Sequence, residues 1–173
     1  KYTISAIADP IAGGTVAGAG QYNHGQQVSL TATANTGYTF TNWTENGNVV
    51  STQSSYTFTA TGSRNLTANF TLNNYTVATN ILPPGTGSVT GSGVYPHGST
   101  ATLEATPAIG YSFNNWSGDL ISTNNPESFL VTSNKNITAN FKLKQYQIVT
   151  ISSPIQGGTT SGAGIYNHGV QVT

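Results

Sequence analysis

Four residues in a fixed pattern occur three times in this chain, as Tyr22-Asn23-His24-Gly25, Tyr95-Pro96-His97-Gly98 and Tyr166-Asn167-His168-Gly169. The histidines are separated by 73 and 71 residues, and the surrounding sequence recurs at the same interval. Gly37-Tyr38-Thr39-Phe40-Thr41-Asn42-Trp43 returns as Gly110-Tyr111-Ser112-Phe113-Asn114-Asn115-Trp116. Asn65-Leu66-Thr67-Ala68-Asn69-Phe70 returns as Asn136-Ile137-Thr138-Ala139-Asn140-Phe141. A period of this length means that one small folding unit is used repeatedly, which outweighs any other sequence signal. The repeats are read as residues 1–74 and 75–145, with 146–173 as the cut-off start of a third. The two-residue difference in spacing falls where Thr44-Glu45-Asn46-Gly47 is replaced by the shorter Ser117-Gly118-Asp119, as expected of a surface turn.

Alternation sets the fold class. Val28, Leu30, Ala32 and Ala34 share one parity, as do Tyr56, Phe58 and Ala60, and then Leu66, Ala68, Phe70 and Leu72. The positions between them are mostly Thr, Ser and Asn, which is the period of a half-buried strand. No window has helical periodicity. The expectation is all-β: tandem antiparallel sandwich or barrel-like modules of five or six short strands each. Trp43 breaks the parity set by Tyr38 and Phe40, and burying both Phe40 and Trp43 requires a bulge near Thr41–Asn42, with another near Asn114–Asn115. Only Thr71 to Asn74 separate Phe70 from Tyr75, too little for a flexible linker, so neighbouring repeats are expected to form a semi-rigid rod.

Composition narrows the function. Charged residues make up 6% of the chain and the formal net charge is zero, so the basic footprint of a nucleic-acid partner is missing. No apolar run is long enough to enter a membrane as a helix. Without cysteine there is no disulfide, thiolate metal site or thiol nucleophile. With no methionine and a start inside a strand pattern, the chain is expected to be a piece of something longer.

The motifs together resemble the divergent internalin B-repeat family of bacterial surface proteins, over both full copies and the third. The resemblance implies an extracellular, secreted or cell-surface bacterial protein, with the modules as stalk or spacer, and it supplies no catalytic residue. Better-known internalin B-repeats are similar to β-grasp folds with a short helix, which makes a β-grasp-like module the alternative architecture.

Catalysis needs reactive groups gathered together. The carboxylates Asp9, Glu45, Glu104, Asp119 and Glu127 do not recur from repeat to repeat, so each is read as an incidental surface charge, and the chain as no enzyme. No calcium loop is present. The six Asn-x-Ser/Thr sequons, at Asn42, Asn65, Asn69, Asn74, Asn115 and Asn136, follow from a chain rich in Asn and Thr. No cofactor or metal is expected. The recurring candidates for a ligand or inter-module contact are Tyr22, His24, Tyr95, His97, Tyr166 and His168. The plainer reading of each histidine is a turn residue packed on the tyrosine before it, because one histidine per module is not a metal site.

Two functions follow. The first is a structural repeat, serving as an adhesin stalk or spacer or as the building block of an extracellular filament. Its partners are neighbouring repeats and identical chains, because uncharged Thr- and Asn-rich strands lack the usual guards against edge pairing. The second is a glycan-binding module of an adhesin or secreted enzyme, using the exposed tyrosines.

Overall fold

The structure, a computed structural model, describes all 173 residues. It is built from strands, with two single-turn 3-10 segments at Ile11–Gly13 and Ile155–Gly157. None of its helical segments is long and apolar enough to cross a membrane. The chain separates into two compact units. One comprises Lys1–Asn74 together with the turn Pro96–Gly98, the other Tyr75–Tyr95 and Ser99–Thr173.

The first unit contains β1 (Tyr2–Asp9), β2 (Gly14–Ala17), β3 (Gly20–Tyr22), β4 (Gln27–Ala34), β5 (Tyr38–Glu45), β6 (Asn48–Ser51), β7 (Ser55–Thr59) and β8 (Arg64–Leu72). They form a five-stranded sheet in the order β3-β1-β8-β5-β6 and a three-stranded sheet in the order β2-β4-β7. The second unit contains β9 (Asn74–Leu82, whose first residue lies in the first unit), β10 (Gly87–Thr90), β11 (Gly93–Pro96, whose last residue lies in the first unit), β12 (Thr100–Pro107), β13 (Tyr111–Gly118), β14 (Glu127–Leu130) and β15 (Lys135–Leu143). Its sheets are ordered β11-β9-β15-β13 and β10-β12-β14, and the hairpin β16 (Gln145–Ile148) with β17 (Gly164–Asn167) follows.

All-β architecture is therefore what the alternation specifies, in open sheets rather than closed barrels. The β-grasp alternative lacks its helix. Two features differ from the expectation. The strands are more numerous, because the glycine-rich stretch after the first strand makes two short strands of its own, β2 and β3. And the larger sheet of each unit is mixed: β1 runs parallel to β8, from Ile4 opposite Arg64 to Asp9 opposite Asn69. In the same way β9 runs parallel to β15, from Val77 opposite Lys135 to Leu82 opposite Asn140.

Each unit has a core of nine buried residues, and the two sets correspond position by position. Ile4, Val28, Leu30, Ala32, Trp43, Ala60, Leu66, Ala68 and Phe70 fill the first. Val77, Ala101, Leu103, Ala105, Trp116, Val131, Ile137, Ala139 and Phe141 fill the second. These are the inward positions of strands whose outward positions carry Thr, Ser and Asn, so burial of one face drives the pairing.

The bulges lie where the aromatic residues require them. Phe40 faces Phe70 and Asn42 faces Asn69, leaving Thr41 as the extra residue. Phe113 faces Phe141 and Asn115 faces Asn140, leaving Asn114. The shift brings Trp43 and Trp116 inside, each fully buried. Each indole N–H donates to a backbone carbonyl, of Ser54 at 3.3 Å and of Asn124 at 2.9 Å, so burial leaves neither donor unpaired.

Candidate functional site

The Tyr-x-His-Gly turn occurs three times, and each copy is held from within. The tyrosine hydroxyl donates to the carbonyl four residues earlier: Tyr22 to Gly18 at 2.6 Å, Tyr95 to Gly91 at 2.7 Å and Tyr166 to Gly162 at 3.1 Å. These hydroxyls are thus used in fixing the turn, and the three rings are half-buried.

Two of the histidines meet a different tyrosine from the one in their own turn. His24 meets Tyr2 of the first strand, edge to face, with ring centroids 6.0 Å apart, and His168 meets Tyr146 at 6.1 Å. The pairing of Tyr2 with Tyr22, and of Tyr146 with Tyr166, fixes this arrangement by setting the turn beside the start of the repeat's first strand. A reading of neighbours along the chain could not find it, because the partner lies 22 residues earlier.

Two of the histidines also lie on a glycine. The His97 ring covers Gly37 within the first unit, and the His168 ring covers Gly110 within the second. Both glycines are buried, with φ of +84° and +83°, and a Cβ on either would run into the imidazole. The backbone joins at the same point. The His97 amide donates to the Asn73 carbonyl at 2.8 Å, and the Asn73 amide to the Gly37 carbonyl at 2.8 Å. The His168 amide donates to Lys144 at 2.9 Å, and Lys144 to Gly110 at 2.7 Å.

The carboxylates are dispersed. Asp9 and Glu104 are exposed, Asp119 accepts the Asn136 amide at 2.7 Å, and Glu127 is bonded to Ser122. Glu45 is more than an incidental charge. It accepts from two Arg64 donors, from Nε at 3.0 and 3.2 Å to its two oxygens and from Nη2 at 2.7 Å. The guanidinium lies 4.3 Å from the Phe58 ring centre and bonds to the Tyr56 hydroxyl at 3.3 Å. Hydrogen bonding from Arg64 holds the Glu45 carboxyl below its ordinary pKa, and the same bond raises that of Arg64. No three His, Asp or Glu side chains gather as a metal centre would require. A concavity of about 380 Å³ lies along the end of β15, lined by Ser112, Lys142, Leu143, Lys144, Gln145 and Tyr146. It brings together two lysines and a half-exposed tyrosine, a polar surface without an acid–base pair.

No curated protein and no solved structure matches the chain. The divergent InlB B-repeat domain matches it twice, over residues 2–74 and 75–145, which together span most of its length. The recurring strands, bulges and His-Gly turns are thus the shared features of two tandem copies, and the chain belongs to the divergent InlB B-repeat domain family.

Proposed function

We propose that these repeats form a tension-bearing spacer in the stalk of a bacterial surface protein, displayed outside the cell. The observation that carries this reading is the parallel pairing of the first and last strands of each repeat. Tension enters a repeat at the start of its first strand and leaves at the end of its last. In the first repeat these strands are β1 and β8, which lie side by side and run the same way over six paired positions. Pulling slides one along the other and loads all their hydrogen bonds at once. An antiparallel hairpin pulled at its open end would instead break its bonds one at a time. β9 and β15 repeat the arrangement over six positions. Family membership supports the setting, since such repeats are modules of bacterial surface proteins.

Stretching the full chain between its ends by single-molecule force spectroscopy tests this. Two unfolding events are expected, each releasing about 250 Å of contour for some seventy residues of extended chain. Ile7→Pro removes a donor from β1 on the side that faces β8, the side on which the Thr3 amide, of the same parity, donates to Ser63, and is expected to lower the first repeat's unfolding force. Val28→Ala, in the core away from that ladder, should lower the force less for the same loss of stability. Equal loss of force in the two variants would remove the shear argument.

A further inference from the structure

We propose that the turn around His24 is a docking surface for another repeat of this same kind, one whose Gly-Tyr-x-Phe turn is uncovered. The inference is independent of whether the array carries tension. The chain contains three Tyr-x-His-Gly turns and two glycine sockets, Gly37 and Gly110. Each socket holds the histidine of the following sequence repeat, and contact in space assigns Pro96–Gly98 to the unit that contains Gly37. The His24 turn has the same internal brace, Tyr22 to Gly18, as the seated His168 turn has in Tyr166, and a first-strand tyrosine, Tyr2, at 6.0 Å where His168 has Tyr146 at 6.1 Å. It is exposed, and both glycines that could receive it in this chain are covered by His97 and His168.

The chemistry of the socket sets the kind of partner. The ring needs a residue without a Cβ beneath it, at a backbone φ that favours glycine. The histidine amide needs a backbone carbonyl just after the last core strand, as at Asn73 and Lys144. A divergent repeat that keeps Gly-Tyr-x-Phe supplies both. The outer side chain of the socket is free to vary, since Asn73 and Lys144 both meet the histidine through their backbone, the Asn73 side chain being turned to the Thr39 hydroxyl.

The test adds a copy of residues 75–144 ahead of Lys1 of the full chain, so that Lys1 takes the place Gln145 has before Tyr146, and follows amide hydrogen exchange at His24. Exchange is expected to slow by about tenfold, the scale of one added hydrogen bond, and to recover when the added copy's receiving glycine is changed to alanine. An unchanged His24 rate in the folded, extended chain overturns the proposal. A second comparison needs no extension. Gly37→Ala and Gly47→Ala carry similar backbone strain, at φ of +84° and +80°, but a Cβ on Gly47 meets nothing within 4 Å. Gly37→Ala should speed exchange at the His97 amide by about tenfold while Gly47→Ala leaves it nearly unchanged. The same response in both would show that the ring-on-glycine contact does not seat the turn, and would overturn the proposal.

Discussion

Val28 and Ala60 in the first core occupy the places of Ala101 and Val131 in the second. The larger residue has moved from the middle strand of the small sheet to the residue just after its neighbour. Val28 faces Phe58, and Ala60 lies two residues beyond Phe58 on the same parity, so the two are diagonal neighbours on one sheet face. Volume is conserved across the pair, the kind of exchange a close-packed core tolerates. Val28→Ala should therefore cost about 2 kcal/mol, and adding Ala60→Val should restore about half of it or more, as a double-mutant cycle in urea would measure. Glu45 gives a second prediction at this scale. Its folded pKa is lowered, so its contribution is fully present above the unfolded value of about 4.3 and is lost as pH falls through the folded value. Arg64 has a raised pKa and stays charged throughout that range. Glu45→Gln is expected to cost about 0.5–1 kcal/mol at neutral pH, with the difference from the parent closing as pH falls through the lowered pKa of Glu45 in denaturation curves. The sequence did not reveal this pair. Glu45 has no counterpart in the second repeat, and Arg64 reaches it only because β5 and β8 are paired.

The bulge was legible at the level of the element because two large rings competed for one face. Trp43 lies an odd number of residues from Phe40, both pack in the core, and only an extra residue reconciles them. What holds the bulge was not legible. The Asn69 side-chain amide donates to the Asn42 side chain at 2.8 Å and to the Thr44 hydroxyl at 3.0 Å. Asn140 does the same work by donating to the Asn115 carbonyl at 3.2 Å and the Ser117 hydroxyl at 2.8 Å. In sequence these asparagines look like outward strand positions between Ala68 and Phe70, or Ala139 and Phe141. Asn69→Ala and Asn140→Ala should each cost about 1–2 kcal/mol in chemical denaturation, more than alanine at an ordinary exposed strand position. The parallel pairing escaped the sequence for a different reason. Alternation in Leu66, Ala68 and Phe70 fixes which face of β8 is buried, and that face is the same whether the neighbouring strand runs up or down. The His-Gly contact was hidden likewise, because Gly37 reads as a turn residue and nothing along the chain indicates which ring covers it.

For the molecule as a whole, the edges of the sheets separate the spacer reading from the filament one. Low charge and Thr-rich strands suggest a chain prone to pairing sideways, and the formal net charge of zero offers no long-range repulsion against it. Strand length opposes this. The outer strands β2, β3, β6, β7, β10, β11 and β14 hold three to five residues each. A short edge offers few backbone groups to an incoming strand, which is one of the ways proteins limit such pairing. The long outer strand, β13, has eight residues, and part of its free side is already occupied, since the Trp116 amide donates to the Ser122 carbonyl at 2.7 Å. Growth sideways would need a longer open ladder than any of these provides. The chain is therefore expected to sediment as a single species at its monomer mass of 18.0 kDa, from about 10 μM to about 1 mM. Its behaviour should be little affected by salt, because few charges are there to screen. Species that lengthen with concentration would show that edge pairing wins despite the short strands, and would favour the filament. A monomer leaves end-to-end continuation within one polypeptide as the way these repeats gain length, which is what a stalk requires.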